Sequence, residues 1–139
     1  MASIREEFPV AAPPDAVWAA LRDFGAVHER LARDFVVASE PDGDARVVTF
    51  VNGAVAREVL VAVDDDARRL AYTVVESPLG TTHHNASAQV LPDGDAGSRF
   101  VWITDVLPHD AAPRIREMMA FGATAIRATL EAPAPATSA

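Results

Sequence analysis

The chain has 139 residues, half of them hydrophobic, no cysteine and a formal net charge of -8. That length suits one domain with a real core, and the lack of cysteine excludes disulfides and thiol chemistry. The acidic balance has no basic cluster to offset it, which argues against nucleic acid and anionic membranes as partners. No apolar run is long enough to span a bilayer. The N-terminal Met-Ala-Ser-Ile-Arg-Glu-Glu lacks the charged-then-apolar pattern of a signal segment. These features point to a cytoplasmic protein with a small, neutral or apolar ligand. Heavy use of Ala, Val, Asp and Arg fits a GC-rich bacterial genome.

Ile4 to Val10 alternates as a first strand, with Phe8 and Val10 in one phase, and Pro13-Pro14 stops it. Asp15 to Phe24 reads as a short helix burying Val17, Trp18 and Leu21. Gly25 breaks it, and Ala26 to Arg33 reads as a second short helix. Phe35 to Glu40 is a strand closed by Pro41-Asp42-Gly43-Asp44. Asn52-Gly53 between two apolar runs signals a two-residue hairpin turn. With that loop, Val51 faces Ala54, Thr49 faces Ala56 and Val47 faces Glu58. The other face then carries Arg46, Val48, Phe50, Val55 and Arg57, and its two arginines mark it as the wet side. Glu58 is left inside.

Asp64-Asp65-Asp66 forms a solvated turn whose spacing is wrong for calcium. Leu70 to Glu76 follows as a strand with Tyr72, Val74 and Glu76 in phase. From His83 the alternation sets Asn85, Ser87 and Gln89 on a polar face and Ala86, Ala88 and Val90 on an apolar one. His84 shares the apolar phase; His83 does not. In the last strand Phe100, Trp102, Thr104 and Val106 point one way, Arg99 and Asp105 the other.

Asp110 to Glu131 is a long amphipathic helix with Asp110 as its cap and Pro113 in its first turn. Its apolar stripe is Ile115, Met118, Met119, Gly122, Ile126 and Leu130. Residues 132–139 read as a disordered tail after one domain at 1–131. One long helix after a chain of strands implies an α+β fold, a curved sheet gripping that helix. Ala54, Ala56, Ala86 and Ala88 on the inner faces, with Met118, Met119 and Gly122 on the helix, predict a seam that is not tightly filled. The alternative is that these small residues admit close helix packing with no void. The inner polar groups are Glu58, Tyr72, His84 and Thr104, few among many apolar ones, as small-molecule sites are lined.

The ordered set of local strings resembles the SRPBCC superfamily of START-like, helix-grip proteins. They are Ala12-Pro13-Pro14-Asp15-Ala16-Val17-Trp18 with Asp23-Phe24, then Gly43 to Phe50, Glu58 to Asp65 leading to Leu70-Ala71-Tyr72, Pro92-Asp93-Gly94 and a strand holding Trp102. The bacterial polyketide cyclase/dehydrase-like branch is the most similar. The resemblance implies a curved antiparallel seven-stranded sheet around a long C-terminal helix, two short helices after the first strand, and an internal ligand cavity. It also implies that an acidic residue and an aromatic one on the next strand face the cavity, and Glu58 and Tyr72 match those positions. Many members carry Asn-Tyr at the start of the following strand; His83-His84 stands there instead.

Glu58 among apolar neighbours is a candidate general acid or base, and otherwise a carboxylate paired to an arginine or wetted at a cavity mouth. His84 is a candidate proton shuttle, and otherwise a histidine bonded into the strand end. Tyr72 is a candidate donor to a ligand carbonyl, and otherwise a core ring with a wet hydroxyl. Ala56, Val74, Ala86, Trp102, Thr104, Met118, Met119, Gly122 and Ile126 are the expected ligand contacts. No metal site is expected, since His83 and His84 point to opposite faces and His28 and His109 stand alone. No Gly-rich phosphate loop or nucleophile elbow appears.

The expected function is binding of a small hydrophobic, aromatic or polyketide-like molecule, with cofactor-free cyclase or dehydratase chemistry. A non-catalytic carrier or sensor and an interaction module with a filled core are the alternatives. The sequence leaves a homodimer open.

Overall fold

The structure, a computed structural model, describes residues 2–132. All but the first residue of the expected tail lies outside them. The strands are β1 (Ala2–Val10), β2 (Val36–Asp42), β3 (Ala45–Phe50), β4 (Val55–Asp64), β5 (Arg69–Glu76), β6 (His83–Asp93) and β7 (Gly97–Leu107). They form one antiparallel sheet in the order β1-β7-β6-β5-β4-β3-β2. Helix α1 (Pro14–Arg22) follows β1, and α2 (Ala112–Glu131) closes the chain. This is the seven-stranded helix-grip architecture.

The elements form where side-chain periodicity allows burial. On α1, Val17, Trp18 and Leu21 are buried together. Trp18 Nε1 donates to Asp65 Oδ1 at 3.0 Å and Arg22 Nε to the same oxygen at 2.8 Å. The acidic turn is thus more than solvated: it anchors α1. The second short helix is more irregular than its periodicity predicts, a tight 3-10 turn at Phe24–Ala26 followed by a wider π-helical turn at Val27–Leu31. On α2, Ile115, Met119, Gly122 and Ile126 are buried while Met118 and Leu130 are half-buried. Asp110 does not cap it: a 3-10 turn at His109–Ala111 precedes α2, and its N-cap is Ala111 without a side-chain bond.

The β3–β4 hairpin differs from the two-residue reading. Phe50 N–H donates to Ala54 O at 2.8 Å and Gly53 N–H to Phe50 O at 2.9 Å, so the loop is Val51-Asn52-Gly53. Gly53 has φ +88°, the left-handed position that ends a three-residue hairpin loop. One added loop residue shifts every pair: Thr49 faces Val55, Val48 faces Ala56, and Arg46 faces Glu58. Arg46 and Val48 are therefore buried on the inner face, not on the wet one.

Candidate functional site

The sheet and α2 do not close on each other everywhere. α2 packs along β1, and a cavity of about 470 Å³ remains over β3, β4 and β5. Ala54 and Ala56 of β4 and its approach, and Ala88 of β6, line it without filling it. Leu21, Val27, Leu31 and Phe35 line it from the helical segment after β1, and Met118 and Ile126 from α2. Its mouth lies between the Val51–Gly53 loop, the Ser77–Leu79 loop and α2. Val51 and Phe121 there are each 55% exposed. Arg114 Nη2 donates to Leu79 O at 3.0 Å and ties α2 to the loop.

Glu58, Tyr72 and His84 all line this cavity, as do Ala56, Val74, Trp102, Met118 and Ile126. Four expected ligand contacts do not. Ala86, Thr104, Met119 and Gly122 are buried but do not line it. Gly122 does not leave slack in the seam. A β-carbon there would meet the Trp102 ring at 3.0 Å and Phe35 at 3.1 Å, so the glycine admits these rings.

Arg46, placed on the wrong face from the sequence, is the main residue missed. Its Nε donates to Glu58 Oε1 at 2.8 Å, with both side chains buried. Its Nη1 donates to the Phe24 carbonyl at 2.9 Å. Its guanidinium lies 3.8 Å from the Phe24 ring centroid and 5.2 Å from that of Tyr72. Glu58 is therefore not an unpartnered carboxylate. The available signal was the Val51-Asn52-Gly53 loop, which in its three-residue form puts Arg46 in phase with Val48.

The sheet register places the polar groups. Arg46 pairs with Glu58, Glu58 with Val74, and His84 with Val106. Thr73 pairs with Asn85, so His84 comes beside Val74. Glu58 and His84 thus share a row, two strand spacings or roughly 10 Å apart. No hydrogen bond joins them among the described residues. Tyr72 sits two residues along, opposite Ala86.

Burial, and then the neighbouring His83, lowers the His84 pKa to about 4. Its imidazole is uncharged near neutral pH. Its Nδ1 is sealed from solvent and has no partner among the described residues; the same holds for Thr104 Oγ1. Burial, and then the Glu58 charge, push the Tyr72 phenol well above its ordinary value against the opposing pull of Arg46. Tyr72 stays a hydrogen-bond donor. Among the described residues, no three His, Asp or Glu side chains are grouped to hold a metal ion, and no helix is long and apolar enough to cross a membrane.

Residues 1–133 match the family described as polyketide cyclase/dehydrase and lipid transport. No curated protein sequence matches the chain. A protein from Thermobifida fusca is similar in structure, with TM-score 0.78 and 30% identity over 94% of this chain and 92% of that one. Norcoclaurine synthase from Thalictrum flavum, in complex with dopamine and hydroxybenzaldehyde, has TM-score 0.69 and 21% identity over 91% and 84%. A START superfamily protein from Mycobacterium smegmatis has TM-score 0.72 and 13% identity over 93% and 97%.

Proposed function

The chain belongs to the polyketide cyclase/dehydrase and lipid transport family, and on that premise we propose that its cavity binds a small, largely apolar molecule and performs proton transfer on it without a cofactor. The observation that carries this reading is the cavity of about 470 Å³ into which Glu58, Tyr72 and His84 all face. An aromatic or polyketide-like ligand suits it, and the synthase named above, which binds two small aromatic compounds in the same fold, supports that choice.

In this reading a carbonyl of the ligand accepts a hydrogen bond from the Tyr72 phenol, which burial keeps protonated. His84, uncharged near neutral pH, takes a proton from the carbon beside that carbonyl. The Glu58 carboxylate, held by Arg46, serves as the second proton-handling group on the far side of Val74. The spacing of roughly 10 Å between the two backbones leaves room for a ligand between them. The proton that His84 takes returns to the departing hydroxyl, which leaves as water in a dehydration, or to the alkoxide formed when the same carbanion attacks a second carbonyl in a cyclisation.

Mass spectrometry of what copurifies with the native protein identifies the ligand class. With that compound, Glu58→Gln and His84→Ala each lower turnover by about a hundredfold or more. Full turnover in both variants removes the mechanism.

A second reading, a carrier or sensor, is favoured by one observation: Arg46 already engages Glu58, and no hydrogen bond links Glu58 to His84. Under it the same variants shift affinity and the bound compound leaves unchanged.

A further inference from the structure

The protein uses only half of the Arg46–Glu58 ion pair. Arg46 gives Nε to Glu58 Oε1 at 2.8 Å and Nη1 to the Phe24 carbonyl at 2.9 Å. A guanidinium has five N–H donors and a carboxylate two acceptor oxygens. Among the described residues, no hydrogen bond reaches Arg46 Nη2 or Glu58 Oε2. Both residues line the cavity, and neither atom is among the polar atoms sealed from solvent without a partner. The free half of the pair therefore opens on the cavity. The guanidinium lies against two adjoining rings, 3.8 Å from the Phe24 centroid and 5.2 Å from that of Tyr72, with the two centroids 6.1 Å apart, and these contacts help to hold it in place.

A donor beside an acceptor selects the group that meets both. A carboxylate would satisfy Arg46 but set its charge against Glu58 Oε2 in a low-dielectric site. A hydrocarbon would leave both atoms desolvated and unpaired. A neutral group with a carbonyl next to a hydroxyl meets both. Resting on the ligand-binding reading above, we propose that the open edge of Arg46–Glu58 is the polar anchor of the cavity and selects ligands with a carbonyl and a neighbouring hydroxyl. The carbonyl accepts from Arg46 Nη2 and the hydroxyl donates to Glu58 Oε2. Arg46 is near the start of β3 and the mouth is beyond its other end, so the apolar remainder of the ligand points toward Val51, Leu79 and Phe121.

Isothermal titration of the full chain with four naphthyl compounds tests this. They are the aldol adduct of naphthaldehyde and acetone, the same ketone without its hydroxyl, a carboxylate of equal length, and butylnaphthalene. The adduct is expected to bind about tenfold tighter than the ketone, with the carboxylate weakest. In an Arg46→Met/Glu58→Met double variant, adduct and ketone converge to within about twofold while butylnaphthalene still binds. Glu58→Gln alone keeps the shape of the site and serves if the double variant does not fold. It weakens the adduct about tenfold and lets the carboxylate gain. Equal binding of adduct and ketone to the native protein, a preference that survives in a folded variant, or a carboxylate that binds tightest overturns the anchor. Binding of butylnaphthalene without any hydroxyl preference removes the anchor and leaves the cavity reading standing. Failure of all four compounds to bind removes both.

Discussion

Glu58 and His84 lie on one row of the sheet with the Val74 position between them, and Arg46, not His84, is the group that touches Glu58. The stability costs of Glu58→Gln and His84→Ala should therefore add to within about 0.5 kcal/mol. Glu58→Gln and Arg46→Met should not add. Each breaks a buried ion pair at about 3–5 kcal/mol, while the double replacement Arg46→Met/Glu58→Met costs much less than their sum. Urea unfolding of the singles and doubles measures both couplings. Additive Arg46 and Glu58 effects would contradict the buried pair.

His84 predicts an acid limit on stability. Burial lowers its pKa to about 4 in the folded chain, below the ordinary value near 6.5 that applies when it is unfolded. Between those values the unfolded chain binds the proton and the folded one does not. Stability is full above about pH 6.5 and falls as the pH drops toward 4, by about 3 kcal/mol from this group. His84→Asn should flatten that part of the pH profile in denaturant titrations. An unchanged slope would assign it to other groups.

Gly122 predicts a trade between helix and cavity. Gly122→Ala adds a β-carbon 3.0 Å from Trp102 and 3.1 Å from Phe35, and both rings also line the cavity. The rings have open space to move into, and alanine favours the helix by about 1 kcal/mol. Stability should change by less than about 1 kcal/mol, while affinity for a bulky naphthyl ligand falls. Tight binding retained with no ring shift in the nuclear magnetic resonance spectrum would contradict this.

Arg114 ties α2 to the loop at the mouth through its bond to Leu79 O at 3.0 Å. The bond is exposed, so Arg114→Ala should cost under about 0.5 kcal/mol in stability. It should speed both entry and release of ligand, read by stopped-flow fluorescence. Unchanged rates would place the entry route elsewhere.

Much of this was legible where one face of an element is buried throughout. The alternation in β6 put His84 with Ala86 and Ala88, and that in β7 put Trp102 with Phe100, because a wrong phase would have set polar groups inside. The stripe of α2 was readable for the same reason. The β3 phase was not. Two loop lengths fit Asn52-Gly53, and they differ by one residue, which turns Arg46 from outside to inside. The arginine then misled, because an aromatic ring and a carboxylate can bury it as well as water can solvate it. Which side of the sheet α2 fills depends on its packing along β1, a long-range relation that local periodicity does not encode. For that reason Ala86 and Thr104 were expected in the cavity and lie outside it.

Fluorescence titration of a naphthyl ketone into the native chain and into an Ala56→Phe/Ala88→Phe variant bears on the cavity most directly. Both alanines line the space, so two phenyl rings should fill it without disturbing the strands. Saturable one-to-one binding by the native protein, lost in the folded variant, is the expected result. No binding by the native chain, or equal binding by the filled one, would contradict the account.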